Sequence, residues 1–251
     1  MNQRLEGRVA VITGASKGLG QQMAEALAEA GAAVAVVARN RELLEKVRGG
    51  ITRRGGKAYA FPTDVTDEAA VAALAHEVRA QAGPVDILIN NAGMNLRKPL
   101  EEFTLEEWRR VMQTNVDSAF LCARAFLPGM KEKKFGRILN LTSTMAHVAL
   151  AGRTAYCASK SALLGMTKAL ALELAPFSVT VNGISPGPFA TEMNTVLMQD
   201  PTRNAEFVSK IPMGRWGKVE DIGALAVFLC SDAASFITGT DILIDGGWTA
   251  Q

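Results

Sequence analysis

Histidine is nearly missing from this chain of 251 residues, which has two, and cysteine is sparse, with three. His76 and His147 lie far apart, and Cys122, Cys157 and Cys230 are odd in number and widely spaced. No metal-ligand spacing can be assembled from them, so no metal is expected, and the thiols read as the reduced cysteines of a cytoplasmic protein. There is no excess of either charge: 27 Lys and Arg stand against 25 Asp and Glu. That balance argues against nucleic acid or an anionic membrane surface as a partner. The densest basic cluster, KEKKFGR at Lys131–Arg137, is short and reads as a solvated helix end. No apolar run approaches a membrane span, and the N-terminal MNQRLEGR lacks the apolar core of a signal peptide.

What is present is an alternation. Apolar, β-branched runs appear at RVAVIT, AAVAVVA, KAYAF, VDILIN, GRILNLT, SVTVNGI and DILID. Between them lie stretches with helical spacing at Gly18–Ala30, Glu42–Arg54, Glu68–Ala82, Leu105–Phe126, Ala155–Ala175 and Val219–Cys230. Strands that are apolar throughout are buried on both faces, as in a parallel sheet covered by helices on both sides. The βαβα order therefore predicts a doubly wound α/β fold of about seven strands. With 48% hydrophobic and 21% charged residues, no repeat and no Pro/Gly/Ser linker, the whole chain 1–251 reads as one domain. Thr104 and Glu107 form a capping box at a helix start. The segment at about 188–212 breaks the alternation and reads as a lid over a binding site.

The first strand hands over to the first helix through TGASKGLG, Thr13–Gly20. Glycines at such a turn let backbone N–H groups approach a phosphate, and the helix dipole favours its charge. The spacing Gly14, Gly18, Gly20 is neither a Walker loop nor the tight GxGxxG fingerprint, but it sits in the first βα unit, where a dinucleotide binds. About 20 residues on, where a carboxylate would hold the adenosine ribose, the chain reads VVARN. Ala38 is neutral and Arg39 basic. A guanidinium there, with Lys17 in the glycine turn, suits a 2′-phosphate and so NADP(H) over NAD(H).

The second informative stretch is STMAHVALAGRTAYCASK, Ser143–Lys160. Tyr156 and Lys160 are four apart and share one helix face. A phenol of ordinary pKa near 10 is a poor acid–base group at neutral pH; a nearby ammonium stabilises the phenolate and lowers that value. A serine hydroxyl next to it could hold a substrate oxygen. Of the two tyrosines, Tyr59 has Thr63 at the fourth position, so Tyr156 alone qualifies.

With TGASKGLG, TDV at Asp64, NNAG at Asn90–Gly93, TN at Asn115, Ser143, YCASK at Tyr156–Lys160 and SPGPFAT at Ser185–Thr191, the chain resembles the short-chain dehydrogenase/reductase family over its full length. The resemblance implies a Rossmann fold and an oxidoreductase that interconverts a secondary alcohol and a ketone. Tyr156 would be the acid/base, Lys160 would lower its pKa and bind the nicotinamide ribose, Ser143 would polarise the carbonyl, and Asn115 would hold a water in a proton relay. Gly14, Ser16, Lys17, Leu19 and Gly20 would line the pyrophosphate, and Arg39 would favour NADP. Asp64 and Val65 would flank adenine, and Asn91, Ala92 and Gly93 would support the ribose. Pro186, Gly187, Phe189 and Thr191 would hold the nicotinamide end. The resemblance also implies a homotetramer.

NNAGMNLRKPLEEFTLEEW, PGPFATEMN, IPMGRWG and FITGTDILIDGGWTA resemble the gluconate 5-dehydrogenase-like branch, which implies a sugar acid or polyol as substrate. Asn95, Arg97, His147, Arg153 and Met193 are then the candidate substrate contacts, with the arginines paired to a carboxylate. His147 also reads as a surface-loop residue. Phe189, Met193, Val196, Leu197 and Met198 read either as an apolar lid or as a packed helix face. A 3-oxoacyl-[acyl-carrier-protein] reductase, a broad ketoreductase and a non-catalytic NADP-binding regulator share the same core motifs; the intact Asn–Ser–Tyr–Lys set argues against the last.

Overall fold

The computed structural model describes residues 4–191 and 194–251, with Val196 described by its backbone alone. Seven strands form one parallel sheet in the order β3-β2-β1-β4-β5-β6-β7. They are β1 (Val9–Thr13), β2 (Ala33–Ala38), β3 (Lys57–Pro62), β4 (Ile87–Asn90), β5 (Gly136–Leu141), β6 (Val179–Pro186) and β7 (Asp241–Ile244). Side chains alternate across the sheet with period two. Ala10 and Ile12 of β1 accordingly enter one core, and Val9 and Val11 enter the other.

The first core is closed by α1 (Gly18–Glu29), α2 (Arg41–Arg53) and α9 (Val219–Cys230), through Met23, Leu27, Leu44, Ile51, Ile222 and Leu229. Gly223 lets α9 lie close on α1: a Cβ there would stand 2.9 Å from that of Ala26. The second core is closed by α3 (Glu68–Gln81), α5 (Ser118–Lys133) and α6 (Thr154–Leu174), through Leu74, Val78, Phe126, Met130 and Leu174. The strand order reverses between β1 and β4. A crevice opens at such a switch point, beyond the carboxyl ends of the strands.

Three features depart from the sequence reading. The helix expected over Leu105–Phe126 is two helices, α4 (Leu105–Met112) and α5, joined by a π-helical turn at Gln113–Asp117, and α5 runs on past Pro128. The basic cluster is only partly solvated. Arg137 is buried, its guanidinium 4.4 Å from the Phe135 ring centroid and 3.7 Å from Asp232. An aromatic face and a carboxylate replace water there. Lys133 pairs with the buried Asp86. The 188–212 segment holds two short helices, α7 (Thr195–Gln199) and α8 (Pro201–Val208). Phe207, from α8, stacks on Trp216 at 4.7 Å and on Trp248 at 5.3 Å between centroids, which ties α8 to the C-terminal segment. Phe189 is 4% exposed and belongs to the first core, so its side chain is packed rather than part of a lid face.

Candidate active site

The glycine turn is built for close approach. Gly14 and Gly18 have φ of +64° and +58°, a region that favours glycine. A Cβ on Gly14 would stand 2.9 Å from Ala92 Cα, and one on Gly20 would stand 2.5 Å from the Gly14 carbonyl oxygen. Gly18, by contrast, faces open space. The Asn91 amide donates to the carbonyls of Thr13 (2.9 Å) and Gly14 (3.1 Å). The Thr13 hydroxyl accepts from the backbone N–H of both Asn91 and Ala92 at 3.0 Å. The loop after β4 is thereby locked to the loop after β1. No acidic residue stands in the first turn of α1 to compete with an anion. Glycine at 14 and 20 lets the two loops close on each other, and the open face left at Gly18 forms a cradle that fits the pyrophosphate of a dinucleotide. Ser16 and Leu19 are half-buried beside it, and Lys17 is exposed.

Arg39 is exposed just beyond β2, and its charge reaches Asp64. Burial pushes the Asp64 carboxyl up, but hydrogen bonds from the Thr66 N–H and hydroxyl, helped by Arg39, bring it below the usual carboxylate range. Val65 is buried beside it. Arg39 thus follows β2 directly, and Ala38 before it carries no carboxylate.

Asn115 sits in the π turn and is buried. Its Oδ1 accepts from the Met94 N–H at 2.7 Å, and its Nδ2 donates to the Met94 carbonyl and to Ser159 Oγ, each at 2.9 Å. Its amide hydrogens thus tie the loop after Gly93 to α6. The π turn widens the helix there and loosens its carbonyl ladder.

Ser143 follows β5 and accepts from the Met145 N–H at 3.1 Å, which starts a short 3₁₀ turn at Thr144–Ala146. Its hydroxyl also hydrogen-bonds to that of Tyr156, in the first turn of α6. Burial pushes the Tyr156 phenol above its ordinary value; the Ser143 hydrogen bond and the guanidinium groups of Arg153 and Arg97 pull it down. Lys160 lies against the ring face, with Nζ 5.6 Å from the centroid, and donates to the Leu141 carbonyl. Burial lowers the Lys160 amine itself to about 8, opposed by the charge of Asp241.

Arg153 is half-buried, and burial and the nearby Arg97 both depress its guanidinium. The charges of both arginines thus reach the tyrosine. The Asn95 Oδ1 is buried with no hydrogen-bond partner, a polar atom that suits a ligand hydroxyl. His147 is neither an unattached surface residue nor a side chain without a partner: its Nε2 lies 2.6 Å from Asp241 Oδ2. Asp241 escaped the sequence reading, because the first polar residue of a short strand carries no local signal. Pro186 and Gly187 end β6, where Gly187 lies so close to Asp245 that a Cβ would stand 2.5 Å from that residue's own. The Thr191 N–H donates to the Phe189 carbonyl at 2.9 Å. Met193 lies outside the described residues. Among the described residues, no group of three or more His, Cys, Asp and Glu is placed to hold a metal ion.

A family model described as enoyl-(acyl carrier protein) reductase matches residues 14–249. The gluconate 5-dehydrogenase of Gluconobacter oxydans is 40% identical over 247 residues, covering 98% of this chain and 96% of that protein. The D-threitol dehydrogenase of Mycolicibacterium smegmatis is 41% identical over 248 residues, covering 99% and 95%. The crystal structure of a gluconate 5-dehydrogenase from Burkholderia cenocepacia, in complex with NADP and tartrate, superimposes with a TM-score of 0.93 at 36% identity, covering 100% of this chain and 98% of that one.

Proposed function

This chain belongs to the short-chain dehydrogenase/reductase family, and on that premise we propose that it oxidises and reduces a small sugar acid or polyol at one carbon. It is an NADP(H)-dependent oxidoreductase of CH–OH groups, interconverting a secondary alcohol and a ketone. The observation that carries the substrate class is that the charges of Arg97 and Arg153 both reach Tyr156. Two guanidiniums whose charges act on each other and on a reacting hydroxyl gain from an anion beside them. The NADP and tartrate bound to the Burkholderia relative are consistent with such a pair of ligands.

A bound nicotinamide cofactor would accept or supply the hydride. The rest falls to the chain. Gly14, Ser16, Lys17, Leu19 and Gly20 hold the pyrophosphate side, with Arg39 on the 2′-phosphate, Asp64 and Val65 at the adenine, and Asn91, Ala92 and Gly93 at the ribose. Pro186, Gly187, Thr191 and the backbone of Phe189 hold the nicotinamide end. Ser143 donates to the substrate oxygen, and Tyr156 takes its proton in oxidation and returns it in reduction. Lys160 holds the ribose and balances the phenolate. The π turn at Asn115 anchors the relay water. Residues 1–251 act as one cofactor-binding domain, with the segment at about 188–212 covering the substrate.

Val148 and Leu150 are exposed between His147 and Arg153. They favour a second reading, a ketoreductase for less polar ketones or a 3-oxoacyl thioester. A screen of sugar acids, polyols and neutral ketones with NADP(H) and NAD(H), followed at the nicotinamide absorbance, separates the two. The protein acts in the cytoplasm as a homotetramer. In support, Cys122, Cys157 and Cys230 are free thiols, and Leu172, Phe120 and Leu105 leave apolar surface on three successive helices. Light scattering at micromolar concentration tests the tetramer, and a monomer mass refutes it.

A further inference from the structure

The Lys160 ammonium is buried, and its hydrogen-bond partner is a neutral backbone carbonyl, that of Leu141. A buried cation with no counter-charge is costly. A buried carboxylate, Asp241, stands on the edge strand β7, one residue step from that carbonyl: it holds the hydroxyl of Thr142, which follows Leu141. The Asp241 side chain is 3% exposed and gathers donors from three other segments. The Ser185 hydroxyl, near the end of β6, donates to Oδ2 at 2.6 Å. The Thr142 hydroxyl lies 2.6 Å from Oδ1, and His147 Nε2 lies 2.6 Å from Oδ2. Thr142 is flanked in sequence by Leu141, the acceptor for Lys160, and by Ser143. Ser185 precedes Pro186 and Gly187. Space has been left for the group: a Cβ on Gly183 would stand 2.0 Å from Asp241 Oδ1.

We propose that Asp241 is a positioning residue of this active site, the buried counter-charge of Lys160 and the clamp that joins the strand ends bearing Ser143 and Pro186. The proposal rests on the reading of Lys160 as the lysine of the reaction. An acceptor-only carboxylate suits the hydroxyls and the imidazole that face it. The charge of Asp241 also opposes the burial that drives Lys160 towards its neutral form. Among the described residues, the titratable groups that face this pair are Tyr156, whose ring lies against Lys160, and His147, which meets Asp241. Neither is a carboxylate, so neither can replace Asp241. Without it, the lysine would lose its proton at a lower pH, and with it the cation beside the phenolate.

The test is Asp241→Asn, which keeps the shape and removes the charge, with Asp241→Ser as a second variant. In the cofactor-free protein, the ε-carbon of Lys160 in 13C-lysine-labelled enzyme reports its titration, assigned by Lys160→Arg. The midpoint should fall by about one unit or more in either variant. The alkaline limb of kcat should move down by a similar amount, so that activity falls about tenfold at the alkaline end and less than about threefold near pH 6. An unchanged Lys160 midpoint overturns the proposal. So does a loss of kcat that is equal at every pH, or failure of both variants to fold, since each would leave Asp241 a structural role alone. The NMR titration needs no substrate, so its outcome stands even if the screen of alcohols and ketones finds no activity.

Discussion

Replacing Arg153 with alanine should have two separable consequences. The first concerns a substrate carboxylate. Arg153 is half-buried, and Arg97, which is exposed, remains after the substitution. Truncating one partner of a buried charge pair costs about 2–5 kcal/mol; with a second cation left in place the lower end applies. About 2 kcal/mol is roughly a 30-fold loss of kcat/KM for a keto-acid. The second consequence concerns Tyr156, whose phenol Arg153 helps to pull down against burial. Removing the guanidinium raises the phenol further, so less phenolate is present at neutral pH. Alcohol oxidation needs that base form, and its rising limb should move to higher pH even for a neutral alcohol. Steady-state kinetics of a sugar acid and a neutral alcohol, each across a pH series, separate the effects. Above the shifted limb the neutral alcohol should regain its wild-type rate and the sugar acid should not. Arg153→Lys should recover the limb but not the full affinity, because the ammonium keeps the charge and loses the planar fork. Equal losses for both substrates on the high-pH plateau would refute the anion reading and leave the neutral ketoreductase in its place.

Arg39→Asp should reverse the cofactor preference, because a phosphate–guanidinium contact contributes roughly 1.5–3 kcal/mol, about one to two decades of affinity; equal kcat/KM for NADP and NAD in the wild type would refute this. Tyr156→Phe should abolish turnover while the Kd for NADPH, read by fluorescence, changes less than about threefold, since the phosphates are held elsewhere. Gly14→Ala should lose NADPH binding and lower Tm. Its φ of +64° costs an L-residue roughly 1–2 kcal/mol, and its Cβ would enter the Ala92 backbone; normal binding in that variant would sink the cradle assignment.

The alternation of strands and helices was legible because buried parallel strands are apolar throughout and helices carry a 3.6 period, both local properties. The helix expected over Ala155–Ala175 is found at Thr154–Leu174, and the Thr104–Glu107 capping box forms as read. The glycine turn was legible for the same reason: it records a demand on φ at single residues. Distance was not legible. No local pattern shows that Asp241 meets Thr142 across 99 residues of chain, or that Arg97 and Arg153 act on one phenol. Nor does the KEKKFGR run show that Arg137 is drawn inward between Phe135 and Asp232, or the Leu105–Phe126 pattern that it bends at Asn115. These depend on which strand ends the sheet order brings together. The same order decided the electrostatics: the partners of Tyr156 and Lys160 proved to be Arg153, Arg97 and Asp241 as well as each other. Sequence by itself determined the fold class and the glycine turn; only the tertiary structure decided which charges reach the buried groups, because a buried group answers to whatever charge the fold sets within a few ångströms of it.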